Sequence, residues 1–312
     1  MRAIFSTVTG LFVSGLYACA GRPLDPAPPA AARATTAVVA VPAPSAVPAL
    51  GVAVPSDAGS PEQSREVAAA QACPSGMVHI QFEHCPKLKR RCVDEEYDKP
   101  NHITICNRFA KGEPTCSEPR IALDFCIDEY EYPNHAGAKP PVMLNFFEAG
   151  EQCAKEQKRL CHEREWVTAC EGPDEKPFPY GYARSSKMCN FDNRWVNPQL
   201  SRVYSTDPEI ERAELERLDR SVPSGQRTGC VSDYGVHDLT GNVDEWVNAD
   251  HERPREHAKF SALKGGAWGH VRNACRPVTT SHRPEFRYYF IGFRCCSDSA
   301  RLASKEPPSE GH

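Results

Sequence analysis

Two groups of residues in this chain have the types and spacing for chemistry. The first is a set of fourteen cysteines, at 73, 85, 92, 106, 116, 126, 153, 161, 170, 189, 230, 275, 295 and 296. An even number of cysteines crowded into one stretch reads as a framework of up to seven disulfides. Zinc is the weaker reading because no C-x-x-C pair occurs. Adjacent Cys295 and Cys296 have Cα atoms about 3.8 Å apart, below the disulfide range that starts near 4.4 Å, so each is expected to take a separate partner. The second group is the loop Asp238-Leu239-Thr240-Gly241-Asn242-Val243-Asp244-Glu245, where carboxylates bracket a glycine turn. Calcium takes six to eight oxygens on curved loops of this kind; an Asx-capped turn with solvated acids is the alternative. Dinucleotide, phosphate-loop, zinc-protease and nucleophile-elbow motifs are all missing from the sequence.

Composition narrows the function classes. Across 312 residues, 37 bases and 41 acids leave a net charge of −4, so nucleic acid is not expected as a partner. With 40% hydrophobic and 25% charged residues the chain has the balance of a folded protein. Its 28 prolines are unevenly placed, nine of them between Pro23 and Pro61.

The elements that must position the chemistry begin well inside the chain. Residues 1–19 open with Arg2 and an apolar run from Ile4 to Ala18, too short for a permanent span and matching a secretory signal. Leu16-Tyr17-Ala18-Cys19 resembles a bacterial lipobox, which implies lipidation at Cys19, a bacterial source and a lipid bilayer as partner. Ala20 does not resemble an inner-membrane retention signal, so the periplasmic face of the outer membrane is the expected location. Residues 20–72 are rich in Pro and Ala, lack Cys and aromatics, and read as a disordered tether reaching on the order of 100 Å. The folded body is expected at 73–303, with 73–120 as a Cys-rich insertion and 304–312 as a loose tail.

Within that body two helices are expected. Asn145 caps a helix running to Gln157 with Phe146, Phe147, Gly150, Cys153 and Ala154 on one face. A second runs from Glu163 to Cys170, with acids in its first turn and Gly172 just past its end. The charged stretch 207–220 reads as a solvated surface helix. Trp166 and Trp246 are expected core anchors, and Arg294 a buried structural guanidinium. The basic run Lys87-Leu88-Lys89-Arg90-Arg91 reads as a solvated loop, with a patch for anionic surface polymers as the alternative, and Tyr288-Tyr289-Phe290 as core, with a ligand-lining surface as the alternative.

Five stretches, in order, resemble the formylglycine-generating enzyme family, also called sulfatase-modifying factors. They are PVMLNFFEAGEQCAKEQKRLCHEREWVTACEG (141–172), FPYGYA (178–183), GVHDLTGNVDEW (235–246), LKGGAWGHVRNACR (263–276) and IGFRCC (291–296). The resemblance covers roughly 120–297 and implies an α+β, irregular, loop-rich C-type-lectin-like fold. It also implies calcium held by the side chains of Asp238 and Glu245 and the carbonyls of Gly241 and Val243. A second calcium site would begin at Asn190 and the carbonyl of Phe191.

Oxidising members of that family use two cysteines five residues apart to hold copper, since soft thiolates select Cu(I). Counting from Gly265-Gly266, His270 takes the first position and Cys275 the second. Half of the pair is therefore missing. Two functions follow as expectations: a non-catalytic binding or structural module serving an envelope ligand, or a metal-dependent oxidase using Cys275 with His270. An iron enzyme with an added helical domain is disfavoured, because its H-x-x-x-H-x-E pattern is absent from the sequence.

Overall fold

The computed structural model describes residues 72–99, 102–112, 114–250, 260–269 and 272–300. The signal expected at 1–19, the tether expected at 20–72 apart from Ala72, the lipidation site Cys19, His270, and the expected 304–312 tail lie outside the described residues.

Two sheets carry the domain. The larger joins β1 (Met77–His84), β6 (Ile121–Asp128), β11 (Cys295–Asp298) and β7 (Arg159–Leu160) in the order β1-β6-β11-β7. β1 and β6 are antiparallel, from Met77 opposite Asp128 to His84 opposite Ile121. The smaller sheet has the order β10-β8-β9, with β8 Asp244–Asn248, β9 Ser261–Lys264 and β10 Ile291–Phe293. β10 runs parallel to β8 and β9 antiparallel to it. Two hairpins complete the strands: β2 (Leu88–Lys89) with β5 (Thr115–Cys116), and β3 (Cys92–Asp98) with β4 (Ile103–Phe109).

Four helices are described. α1 (Phe146–Lys155) starts where the side chain of Asn145 accepts from the Glu148 amide at 2.9 Å while Glu148 accepts from the Asn145 amide at 2.8 Å. This reciprocal capping box satisfies two otherwise orphaned donors. The buried side of α1 is Ala149 and Cys153, with Phe146 packed beside them; Phe147 and Ala154, expected on that face, are exposed. α2 (Glu163–Glu171) ends at Gly172, whose φ of +68° closes the helix on Thr168. α3 (Leu200–Val203) and α4 (Pro208–Leu218) follow, α4 capped by Asp207. Most of α4 is exposed, as a helix of that charge should be, yet Glu214 and Leu218 are buried.

The apolar residues gather into two main clusters. One contains Trp246, Leu263, Trp268, Tyr289, Phe290, Ile291 and Phe293 beside α1. The other contains Ile80, Phe125, Ile127, Trp166, Val167 and Val247 beside α2. β11 stands between them: successive strand residues point to opposite faces, so Cys295 joins the first cluster and Cys296 the second. Each accordingly takes its own partner, Cys153 on α1 and Cys161 just before α2.

All fourteen of these cysteines are paired. The other bridges are Cys73–Cys126, Cys85–Cys116, Cys92–Cys106, Cys170–Cys275 and Cys189–Cys230. Three bridges, Cys153–Cys295, Cys161–Cys296 and Cys170–Cys275, close more than 100 residues each. Bridges of that span remove the most freedom from the unfolded chain.

Candidate functional site

The acidic loop meets the centre of the fold. Glu245 on β8 and Arg294 between β10 and β11 are both about 1% exposed. Arg294 forks onto Glu245 with bonds of 2.7 and 2.8 Å, and the indole N–H of Trp166 donates to the same carboxylate at 2.8 Å. Arg294 also donates to the carbonyls of His237 at 2.8 Å and Asp128 at 3.4 Å. The expected structural guanidinium is therefore present, and its main partner is a residue that the sequence assigns to calcium.

Two further carboxylates crowd this pair. Glu131 is fully buried and accepts from Ser224 Oγ at 2.9 Å, Asn242 Nδ2 at 2.6 Å and the Val243 amide at 3.3 Å. Burial, reinforced by the charges of Asp238 and Glu245, holds its pKa well above the carboxylate range. Asp238 sits at φ +57°; one oxygen accepts from the Gly225 amide at 2.6 Å and the other is buried with no hydrogen-bond partner. Burial, against the opposing bond from Gly225, pushes its pKa up to about 6.

Of the groups expected to hold calcium, the Glu245 carboxylate is already engaged in this arrangement. Both oxygens of Glu245 already accept from Arg294, with Trp166 added, so a divalent ion would have to displace a bidentate guanidinium. Gly241, at φ +85°, lets the loop press against Asn190: a Cβ there would lie 2.5 Å from the Asn190 carbonyl oxygen. That carbonyl accepts from the Asn242 amide at 2.9 Å, and the Val243 amide is turned to Glu131. The side chain of Asn190, expected to open a second calcium site, donates to the Arg220 carbonyl and Asn242 Oδ1 and accepts from Asn193. Among the described residues no group of three or more His, Cys, Asp or Glu side chains is gathered to hold a metal.

Cys275 lies elsewhere, fully buried and bonded to Cys170 on α2. Its amide donates to the Pro177 carbonyl at 3.0 Å. Next to it, Asn273 Nδ2 donates to the carbonyls of Gly266 and Ala267 at 3.0 and 3.1 Å, tying this stretch to the Gly265-Gly266 turn. Arg276 forks onto Glu171 at 2.7 and 2.8 Å and also reaches the Cys85 and Pro86 carbonyls. Burial raises the Glu171 pKa, with Arg276 opposing. A disulfide sulfur is not a thiolate, so the donor that copper would need at Cys275 is not offered in this state. His270 and Cys275 are not seen together, since His270 lies outside the described residues.

A cleft of about 460 Å3 opens beside Cys275, lined by Asn273, Ala274 and Arg276 on one side and by Leu88, Arg90 and Ile105 on the other. The second wall comes from the Cys-rich N-terminal segment. β4 docks its end on the 182–184 backbone, where Phe109 donates to Tyr182 at 2.9 Å and Arg184 to Asn107 at 2.8 Å. Phe109 meets Phe178 edge-on, with ring centroids 6.0 Å apart. This wall, and Arg90 within it, is not marked by sequence reasoning, in which Lys87–Arg91 is a solvated loop.

Comparison with known proteins follows the same outline. The profile of the sulfatase-modifying factor enzyme 1-like domain matches residues 117–299. The chain is 26% identical over 183 residues to the inactive C-alpha-formylglycine-generating enzyme 2 of Bos taurus, covering 55% of this chain and 52% of that protein. It is 25% identical over 180 residues to the formylglycine-generating enzyme of Mus musculus, covering 53% and 45%. It thus spans about half the length of the relatives it matches. Among solved structures it is similar to CarF, at 15% identity and a TM-score of 0.44 over 72% of this chain and 98% of that one. PvdO from Pseudomonas aeruginosa matches at 15% identity and 0.44 over 73% and 97%. With the profile matching more than half of its length, the chain belongs to the sulfatase-modifying factor family of formylglycine-generating-enzyme-like domains.

Proposed function

We propose that the protein is an exported, lipid-anchored member of this family that serves as a non-catalytic binding or structural module. The observation that carries the reading is the Cys170–Cys275 bridge, which removes the remaining sulfur of an already incomplete copper-binding pair. The relative in Bos taurus named an inactive formylglycine-generating enzyme supports it. Seven disulfides fit an oxidising compartment, and no described helix is long and apolar enough to cross a membrane. In this reading Cys19 takes the lipid, residues 20–72 act as the tether, and the domain at 73–303 presents its surface to an envelope ligand on the periplasmic side of the outer membrane. The alternative, an oxidase using Cys275 with His270, draws on the similarity to the mouse formylglycine-generating enzyme and requires the Cys170–Cys275 bridge to open.

Two measurements on the full chain test the proposal. Radiolabelled palmitate should enter the expressed protein and fail to enter a Cys19→Ala variant. Oxygen uptake with cysteine-containing peptides, in the presence of Cu(I), should stay at the buffer rate. Copper-dependent uptake with aldehyde formation would establish the oxidase instead.

A further inference from the structure

Within the run Lys87–Arg91, Lys87, Lys89 and Arg91 face solvent while Arg90 turns inward. Its Nε, Nη1 and Nη2 atoms are all buried, and none has a hydrogen-bond partner among the described residues. Five N–H donors are thus left without acceptors, a costly arrangement for a charged group. Burial lowers the Arg90 pKa, with the charges of Glu171, Tyr182 and Glu175 acting against it. The nearby acids are already engaged, Glu171 by both arms of Arg276 and Glu175 by Arg120 at 2.7 and 3.1 Å. The Tyr182 ring, 5.9 Å from the guanidinium carbon, is a distant cation–π neighbour.

Arg90 lines the cleft beside Cys275, whose other walls are largely apolar: Leu88, Ile105, Phe109, Phe178 and Val278. Three more guanidiniums border it: Arg184 is held by Asp192, Arg276 by Glu171, and Arg272 is the third. Arg272 reaches Thr279 Oγ1 at 3.1 Å. Among the described residues, Arg90 is thus the guanidinium of this cleft whose buried nitrogens have no partner.

We propose that this cleft binds a small carboxylate with an apolar body, its carboxylate taken bidentately by Arg90 and its body packed against Leu88, Ile105 and Phe178. The fork matches a carboxylate's two oxygens. A phosphate would need donors for a third oxygen, and the other donors that border the cleft are turned to Asp192, Glu171, Thr279 and the Gly266 carbonyl. Because the three guanidinium nitrogens are buried, binding in this proposal requires the long Arg90 side chain to change rotamer toward the cleft. This deepens the binding-module reading and rests on it, in that the bound carboxylate is held and not turned over.

The test is titration of the full chain with phenylacetate, phenylacetamide and inorganic phosphate, followed by NMR chemical shifts and by melting temperature. Phenylacetate should bind saturably and raise the melting temperature. Phenylacetamide and phosphate should bind about tenfold or more weakly. Arg90→Met should lose about tenfold or more in phenylacetate affinity while melting at or above the wild-type temperature, because it removes a buried cation with no hydrogen-bond acceptor among the described residues. Equal binding of phenylacetamide or phosphate, undiminished binding by Arg90→Met, or no binding at all would overturn the proposal. So would an Arg90→Met chain that melts lower or fails to fold, since Arg90 would then be a structural group. The two readings fail separately: oxygen uptake would remove the non-catalytic reading without touching the Arg90 result.

Discussion

The centre of the domain and the cleft under the N-terminal hairpin each bury a guanidinium, and they treat it in opposite ways. Arg294 meets a carboxylate through two bonds and spends its remaining donors on the His237 and Asp128 carbonyls. Arg90 buries three nitrogens with no acceptor for any of them among the described residues. The first arrangement ties β8, the β10–β11 junction and Trp166 of α2 into one unit, and removing either partner leaves a stranded charge. The second adds nothing to the folded state that an apolar side chain would not. Arg294 lies within the residues 117–299 that match the family profile, while Arg90 comes from the Cys-rich segment that precedes them.

Breaking the central pair should give the largest effect. Glu245→Gln leaves Arg294 buried and uncompensated, and is expected to cost about 3–5 kcal/mol in chemical denaturation. A cost below about 1 kcal/mol would mean that the guanidinium finds another acceptor there. Next in size is the bridge beside the cleft. Replacing Cys170 and Cys275 together with Ala should cost about 2–4 kcal/mol and leave the fold intact by circular dichroism.

Smaller is the pH response of the acids that crowd Arg294. The folded pKa of Asp238, about 6, lies above its ordinary value, so the unfolded chain gives up this proton first as pH rises. The contribution is therefore present below the unfolded value near 4 and is lost as pH climbs through about 6. Glu131 acts in the same direction. Asp238→Asn keeps an acceptor for the Gly225 amide and tolerates the left-handed backbone. The variant should gain about 1–3 kcal/mol on the wild type between pH 5 and pH 7, read from denaturation midpoints across that range. Calcium should leave the wild-type melting temperature unchanged; a calcium-dependent rise lost in Asp238→Asn would show that the loop binds the ion by rearranging around Arg294. Arg90→Met stands at the small end of the series, and there the sign of the change carries the information.

Much of the fold is legible in the sequence, for local reasons. Asn145 with Glu148 three residues on, and Gly172 after an acid-led helix, mark helix ends through contacts made within one turn. Cys295 and Cys296 must diverge because of strand geometry alone. Trp166 and Trp246 are as buried as their size and setting suggest. Partnerships across the chain are not legible in the same way. Glu245 and Arg294 are 49 residues apart, and the loop around Glu245 has the composition of a metal turn as much as of an ion-pair anchor. Phe147 departs from its expected face because a helical face drawn from spacing takes no account of where the neighbouring sheet ends. Arg90 is hidden among like charges. Its inward turn follows from the Cys85–Cys116 bridge and the β2–β5 pairing, which set which residues of the run face the domain.

The central proposal is that Cys275, which the resemblance sets at the second position of the copper-binding pair, is locked in its bridge to Cys170. Its most direct test is non-reducing peptide mapping of the full chain purified from an oxidising compartment, with metal analysis of the same sample. The account predicts a Cys170–Cys275 cross-linked peptide in stoichiometric yield and no bound copper or iron. A free Cys275 thiol with near-stoichiometric copper would contradict it.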